Sequence, residues 1–138
     1  GDTLVVTPIL VPHRDEFSET VGYLIKGKEK SAIYIPDIDK WSIWDKNIID
    51  IIKEIDYAFI DATFFSGDEI NRPMSEIPHP SILETVDLLS DLSLKDKNKI
   101  FFIHLNHTNP ARNKNFIKRI QIENQGFNFA EFGMVFKL

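Results

Sequence analysis

The chain has 138 residues, a length that normally makes one domain, and 43% of them are hydrophobic, enough for a sizeable core. That apolar content excludes disorder as the main state, and no apolar run approaches the roughly 18 residues needed to span a bilayer. Sixteen basic against 21 acidic residues give a net charge of −5, which argues against a general nucleic-acid binder, and the lack of cysteine excludes disulfide scaffolds and thiolate metal sites.

In chain order, Leu4 to Val11 is apolar and β-branched and predicts a buried strand, with Pro8 hinting at a bulge or an edge. Strands follow at Val21 to Ile25 and Ala32 to Ile35, so the first three read as an antiparallel meander. Gly22 is expected to serve a tight turn. Trp41, Trp44, Ile48, Ile51, Ile52 and Ile55 recur at helical spacing and predict a helix capped by Asp39. Tyr57 to Ile60 predicts a short buried strand ending at Asp61. Ala62 to Pro78 has no period and carries Gly67, Pro73 and Pro78, the pattern of a long loop. A second helix is expected from Pro80, burying Ile82, Leu83, Val86 and Leu89. After a lysine-rich turn, Ile100 to His104 predicts a strand. A third helix is expected over Ala111 to Asn124, burying Phe116, Ile117 and Ile120 and ended by Gly126, with a last strand near Met134 to Phe136. The alternation of strands and helices indicates an α/β layer structure forming a single domain over residues 1–138.

All four histidines, His13, His79, His104 and His107, fall after or between strands, where α/β sheets collect ligand sites. Asp37, braced by Pro36, and Asp61 stand at two further strand ends. His79 sits between Pro78 and Pro80, whose restricted backbones suit a positioned acid–base group. Strand alternation places His104 and Asn106 on one face and Leu105 and His107 on the other. Imidazole and carboxylate together fit zinc, manganese or iron. Trp41, Trp44 and Phe64 would suit an aromatic wall for a small molecule, although helical spacing favours core packing for the tryptophans.

Four segments carry a family resemblance: Val11 to Tyr23 (VPHRDEFSETVGY), Tyr34 to Trp41 (YIPDIDKW), Asp61 to Phe64 (DATF) and Phe102 to Pro110 (FIHLNHTNP). In this order they resemble the pyrroloquinoline quinone biosynthesis protein B family of the metallo-β-lactamase-fold superfamily. Met74 to Pro80 (MSEIPHP) looks more like other metallo-hydrolases of that fold. The resemblance implies half of an αββα sandwich, a mixed sheet with flanking helices. The superfamily's His-x-His-x-Asp-His signature is absent from the chain, so the chain, which begins at Gly1 rather than Met, is expected to be the C-terminal half of a protein about twice as long.

By the same resemblance, Asp37 corresponds to a metal-bridging aspartate and His104 to the last histidine ligand. His79 corresponds to the acid–base histidine of the ribonuclease Z branch, with Asp61 orienting it. His13 and Arg14 would line the mouth of the site. The implied function is part of a metal-dependent hydrolase or oxidase acting on a small-molecule substrate in the cytoplasm, with zinc or another divalent transition metal in the full-length protein. A non-catalytic carrier of a quinone-like metabolite is the alternative. The half alone is expected to be inactive, to bind metal weakly or not at all, and to expose an apolar face for the missing N-terminal half or for a homo-oligomer.

Overall fold

The computed structural model describes residues 3–138. Six strands form one mixed sheet in sequential order: β1 (Val5–Val11), β2 (Thr20–Lys26), β3 (Ser31–Ile35), β4 (Tyr57–Asp61), β5 (Ile100–Ile103) and β6 (Asn128–Phe129). The first three pair antiparallel and the last four parallel. Parallel neighbours need crossovers, and helices supply them. These helices are α1 (Ile48–Glu54), α2 (Ile82–Leu88), α3 (Leu94–Lys97) and α4 (Ile117–Asn124).

Alternation along β3, β4 and β5 sends Ile33, Ile35, Ala58, Ile60, Ile100 and Phe102 to one face, where all are fully buried. Ile48 and Ile52 of α1, Ile82 of α2 and Ile122 of α4 join the same core, so the helices cover that face. The opposite face carries Tyr23, Tyr34, Tyr57, Phe59 and Phe101. The chain's C-terminal segment covers one part of it, with Phe136 packed edge-on against Tyr57, Phe59 and Phe101 at centroid distances of 4.8–5.2 Å.

Several local expectations are corrected. β1 is an edge strand paired only with β2, so most of it is exposed rather than buried, and Pro8 is tolerated there without a bulge. The helix expected from Trp41 is broken. Trp41–Ile43 is a short 3₁₀ turn, Trp44 is extended, and Asn47, rather than Asp39, caps α1 through the Ile49 N–H. The break lets each buried indole N–H reach its own acceptor, Trp41 on Thr85 Oγ1 and Trp44 on the Leu10 carbonyl, both at 2.9 Å. Both tryptophans are therefore core, not a ligand wall.

Ser81, not Pro80, starts α2 through a reciprocal capping box with Glu84, and Leu83 faces outward. Leu94–Lys97 is a helical turn capped by Ser93 rather than a plain turn. In α4 the inward residues are Arg119 and Ile122, while Ile117 and Ile120 are exposed. The Arg119 guanidinium is satisfied inside by Glu123, Glu131 and the Ala111 carbonyl and lies 4.6 Å from the Phe129 ring centroid. The last strand is Asn128–Phe129, because Met134 to Phe136 crosses the sheet as non-strand chain.

Gly22 lies inside β2, not in a turn. A Cβ there would come within 2.9 Å of the Ile35 side chain and 3.0 Å of the Tyr34 carbonyl oxygen. Gly22→Ala is expected to destabilise the protein by about 1–3 kcal/mol through overpacking, read as a lower urea midpoint. An unchanged midpoint would show that β2 and β3 can move apart freely.

Candidate metal and acid–base site

The strand directions build the site. β3, β4 and β5 run parallel, and two antiparallel steps return β1 to the same sense, so the carboxyl ends of all four strands lie along one sheet edge. Beyond those ends stand His13, Asp37 and His104, with Asp61 closing β4 itself. The Asp39 N–H donates to the Pro12 carbonyl at 2.7 Å, which ties the β1 and β3 ends together.

Asp61 is fully buried and accepts four hydrogen bonds. Oδ1 accepts from the Thr63 N–H (2.8 Å) and hydroxyl (2.7 Å), and Oδ2 from the Ile38 N–H (3.1 Å) and His79 Nδ1 (2.7 Å). All four lone-pair positions are used. Because the carboxylate accepts, Nδ1 of His79 carries its proton, and Nε2 presents a lone pair. The backbone of His79 is held as well. Lys40 Nζ donates to its carbonyl at 2.9 Å and to both Glu84 oxygens at 3.0 Å. Burial pushes the Glu84 carboxyl up, but hydrogen bonds from Ser81 and the Lys40 ammonium outweigh it and hold the group below its ordinary value.

His104 is the single non-glycine residue at positive φ (64°) among the described residues. β5 ends at Ile103, so the left-handed turn, rather than strand alternation, sets the direction of the His104 ring. Its Nδ1 lies 3.1 Å from Thr63 Oγ1 and 3.5 Å from Asp37 Oδ1. Since the Thr63 hydroxyl proton goes to Asp61, Nδ1–H of His104 donates to Thr63. The left-handed conformation costs a β-carbon-bearing residue about 1–2 kcal/mol. His104→Gly is therefore expected to be more stable than His104→Ala by about 1 kcal/mol, measured by paired denaturation curves; the reverse order would show that the turn is not strained.

Asp37 is central. It lies 3.5 Å from His104 Nδ1 and 3.9 Å from His79 Nδ1. His13, Asp37 and His79 each offer a ligand atom within 4.8 Å of the other two. His13 Nδ1 is buried without a hydrogen-bond partner, and its ring meets His79 edge-on at 5.0 Å. An orphaned imidazole nitrogen beside a carboxylate and a second imidazole fits a divalent transition metal of the zinc type. The four expected residues, Asp37, Asp61, His79 and His104, thus come together, and His13 joins them. His107 does not: it is exposed and bonds Asn106. Sequence reasoning also passed over Thr63, which links Asp61 to His104, and Asn109, whose buried amide donates to the Ala62 and Thr63 carbonyls and braces both loops.

An open α/β sheet that gathers histidines and aspartates at the carboxyl ends of its strands matches the profile of the Beta-lactamase superfamily domain over residues 1–105, and the chain belongs to that superfamily. Within it the chain is related to coenzyme PQQ synthesis protein B. It is 26% identical over 140 residues to that protein of Nitrosococcus oceani, covering 92% of this chain and 43% of the relative. The Acinetobacter baumannii protein of the same name is 28% identical over 141 residues, covering 95% and 46%. The chain spans less than half the length of these curated relatives. The crystal structure of Zn(2+)-bound PqqB from Methylobacterium extorquens superposes with a TM-score of 0.76 at 23% identity, covering 98% of this chain and 47% of that one. At that identity the likeness is one of fold, and it assigns the six-stranded sheet and its helices to the metallo-β-lactamase architecture.

Proposed function

We propose that the chain supplies the acid–base pair and part of the metal site of a metal-dependent hydrolase or oxidase related to coenzyme PQQ synthesis protein B. The observation that carries this reading is the convergence of His13, Asp37, Asp61, His79 and His104 at one sheet edge, with His79 Nδ1 bonded to buried Asp61. His13, Asp37 and His104 would hold the metal, and His79, which offers a nitrogen within 4.8 Å of the His13 and Asp37 ligand atoms, would stand beside it as the proton-transfer group. A bound divalent transition metal supplies Lewis acidity and activation of water. Asp61 fixes the tautomer and orientation of His79. His79 Nε2 then takes a proton from a nucleophile or returns one to a leaving group. The Phe64 ring packs edge-on against the His79 ring at 5.7 Å.

In this reading the substrate is a small molecule and the enzyme works in the cytoplasm. An N-terminal half of the fold packs on the aromatic sheet face and adds metal ligands. The support for that partner is the exposure of Val6, Leu10, Tyr23 and Tyr34 on that face. Among the described residues no helix is long and apolar enough to cross a membrane. Zinc titration compares the 138-residue chain with the full-length protein. At least tenfold weaker binding by the chain alone is expected, since a site short of ligands loses binding free energy. Equal affinities would overturn the shared-site part of the proposal.

A further inference from the structure

The molecule has four arginines, and their partners divide them. Arg119 is tied to Glu123 and Glu131, and Arg112 reaches the His107 carbonyl. Arg14 and Arg72, 58 positions apart, have no ion pair or side-chain hydrogen bond among the described residues, yet both line one cavity. That cavity holds about 210 Å³ and has Phe64, Ile70 and Ile77 among its walls. His13 and His79 also line it, so it opens onto the candidate metal and acid–base groups. Among the described residues, no acidic side chain contributes to its wall. A second cavity, beside His104, also carries cations, but there Glu131 already answers Lys114 and Arg119.

We propose that this cavity is the substrate subsite for an oxyanion carried on a flat apolar group, an aromatic carboxylate or aromatic phosphate, held by Arg14 and Arg72. The proposal deepens the functional reading above and rests on it for the identity of the neighbouring reactive groups. Guanidinium forks match carboxylate and phosphate oxygens in two-bond geometry and remain charged at any working pH. Phe64 with two isoleucines supplies the apolar walls that small-molecule sites use around a few polar anchors. An apolar cavity of about 150 Å³ accepts a benzene ring, so this one has room for a ring and one acidic substituent. The charge also explains direction. An anion drawn to the two guanidiniums leaves the rest of the substrate beside His79, which lines the same cavity.

The test is calorimetric titration of the full-length protein, zinc-loaded and chelator-stripped, with benzoate, phenyl phosphate and benzamide. The wild type is expected to bind at least one of the two anions about tenfold more tightly than benzamide, in both metal states. Arg14→Gln and Arg72→Gln should each weaken that anion about tenfold while zinc affinity stays unchanged. Preference for benzoate would assign a carboxylate substrate and preference for phenyl phosphate a phosphate ester, and either upholds the arginine pair. Equal binding of benzamide and both anions, or anion affinities untouched in both arginine variants, would overturn the subsite. Anion binding seen only with zinc and indifferent to the arginines would make the anion a metal ligand, which also overturns it. Arginine-dependent anion binding in a protein that takes up no zinc would keep the subsite and refute the metal reading instead.

Discussion

Asp61→Ala is expected to destabilise the protein by about 3–5 kcal/mol, the range for removing one partner of a buried ionic network. The substitution would strand the Ile38 and Thr63 N–H groups and the His79 Nδ1–H, none of which faces open solvent at that depth. It would also free the Thr63 hydroxyl that now relays Asp61 to His104. Asp61→Asn preserves the volume but turns one end of the group from acceptor to donor. Two of the four bonds then oppose a like donor, and the His79 tautomer is no longer fixed. Its stability loss should be smaller than that of the alanine variant and its effect on His79 larger, seen as a changed nitrogen-15 shift pattern of the imidazole. A loss below about 1 kcal/mol for Asp61→Ala would show that water replaces the carboxylate and that the network is not a fixed frame.

Asp37→Ala is expected to lower the zinc affinity of the protein by about a hundredfold, while hardly changing its stability. The side chain is partly exposed, and its Oδ1 stands near both the His79 and His104 rings. Removing it takes away the carboxylate of the three groups that lie within 4.8 Å of one another, and a zinc site does not survive the loss of one protein ligand at full affinity. His13→Ala should act in the same direction. Unchanged affinity in both variants would place the metal elsewhere.

Much of this edge was legible in the chain itself. Asp37, Asp61 and His104 each follow an apolar β-run, and parallel strands must bring such positions to one side. The prolines around His79 marked it as held. His13 is legible in the same way. An antiparallel meander of three strands returns the end of β1 to the end of β3, so His13 and Asp37 had to be neighbours. Other features lay beyond any pattern. Arg119 counts as polar in a periodicity, and only its carboxylates and the Phe129 ring explain why α4 turns it inward. Gly22 resembles a turn residue until the approach of Ile35 is known. The left-handed turn at His104 follows a β-branched, apolar strand that gives no warning of it. Long-range packing decided each of these cases, and local sequence does not encode it.

A metal held at this sheet edge between Asp37 and the histidines would be seen by anomalous X-ray scattering from zinc-loaded crystals of the protein. The expected result is a zinc peak with an Asp37 carboxylate oxygen and at least one of the His13 and His104 ring nitrogens at about 2.0–2.3 Å, and His79 Nδ1 still bonded to Asp61. Zinc bound only away from this edge, with Asp37 and His13 uncoordinated, would contradict it.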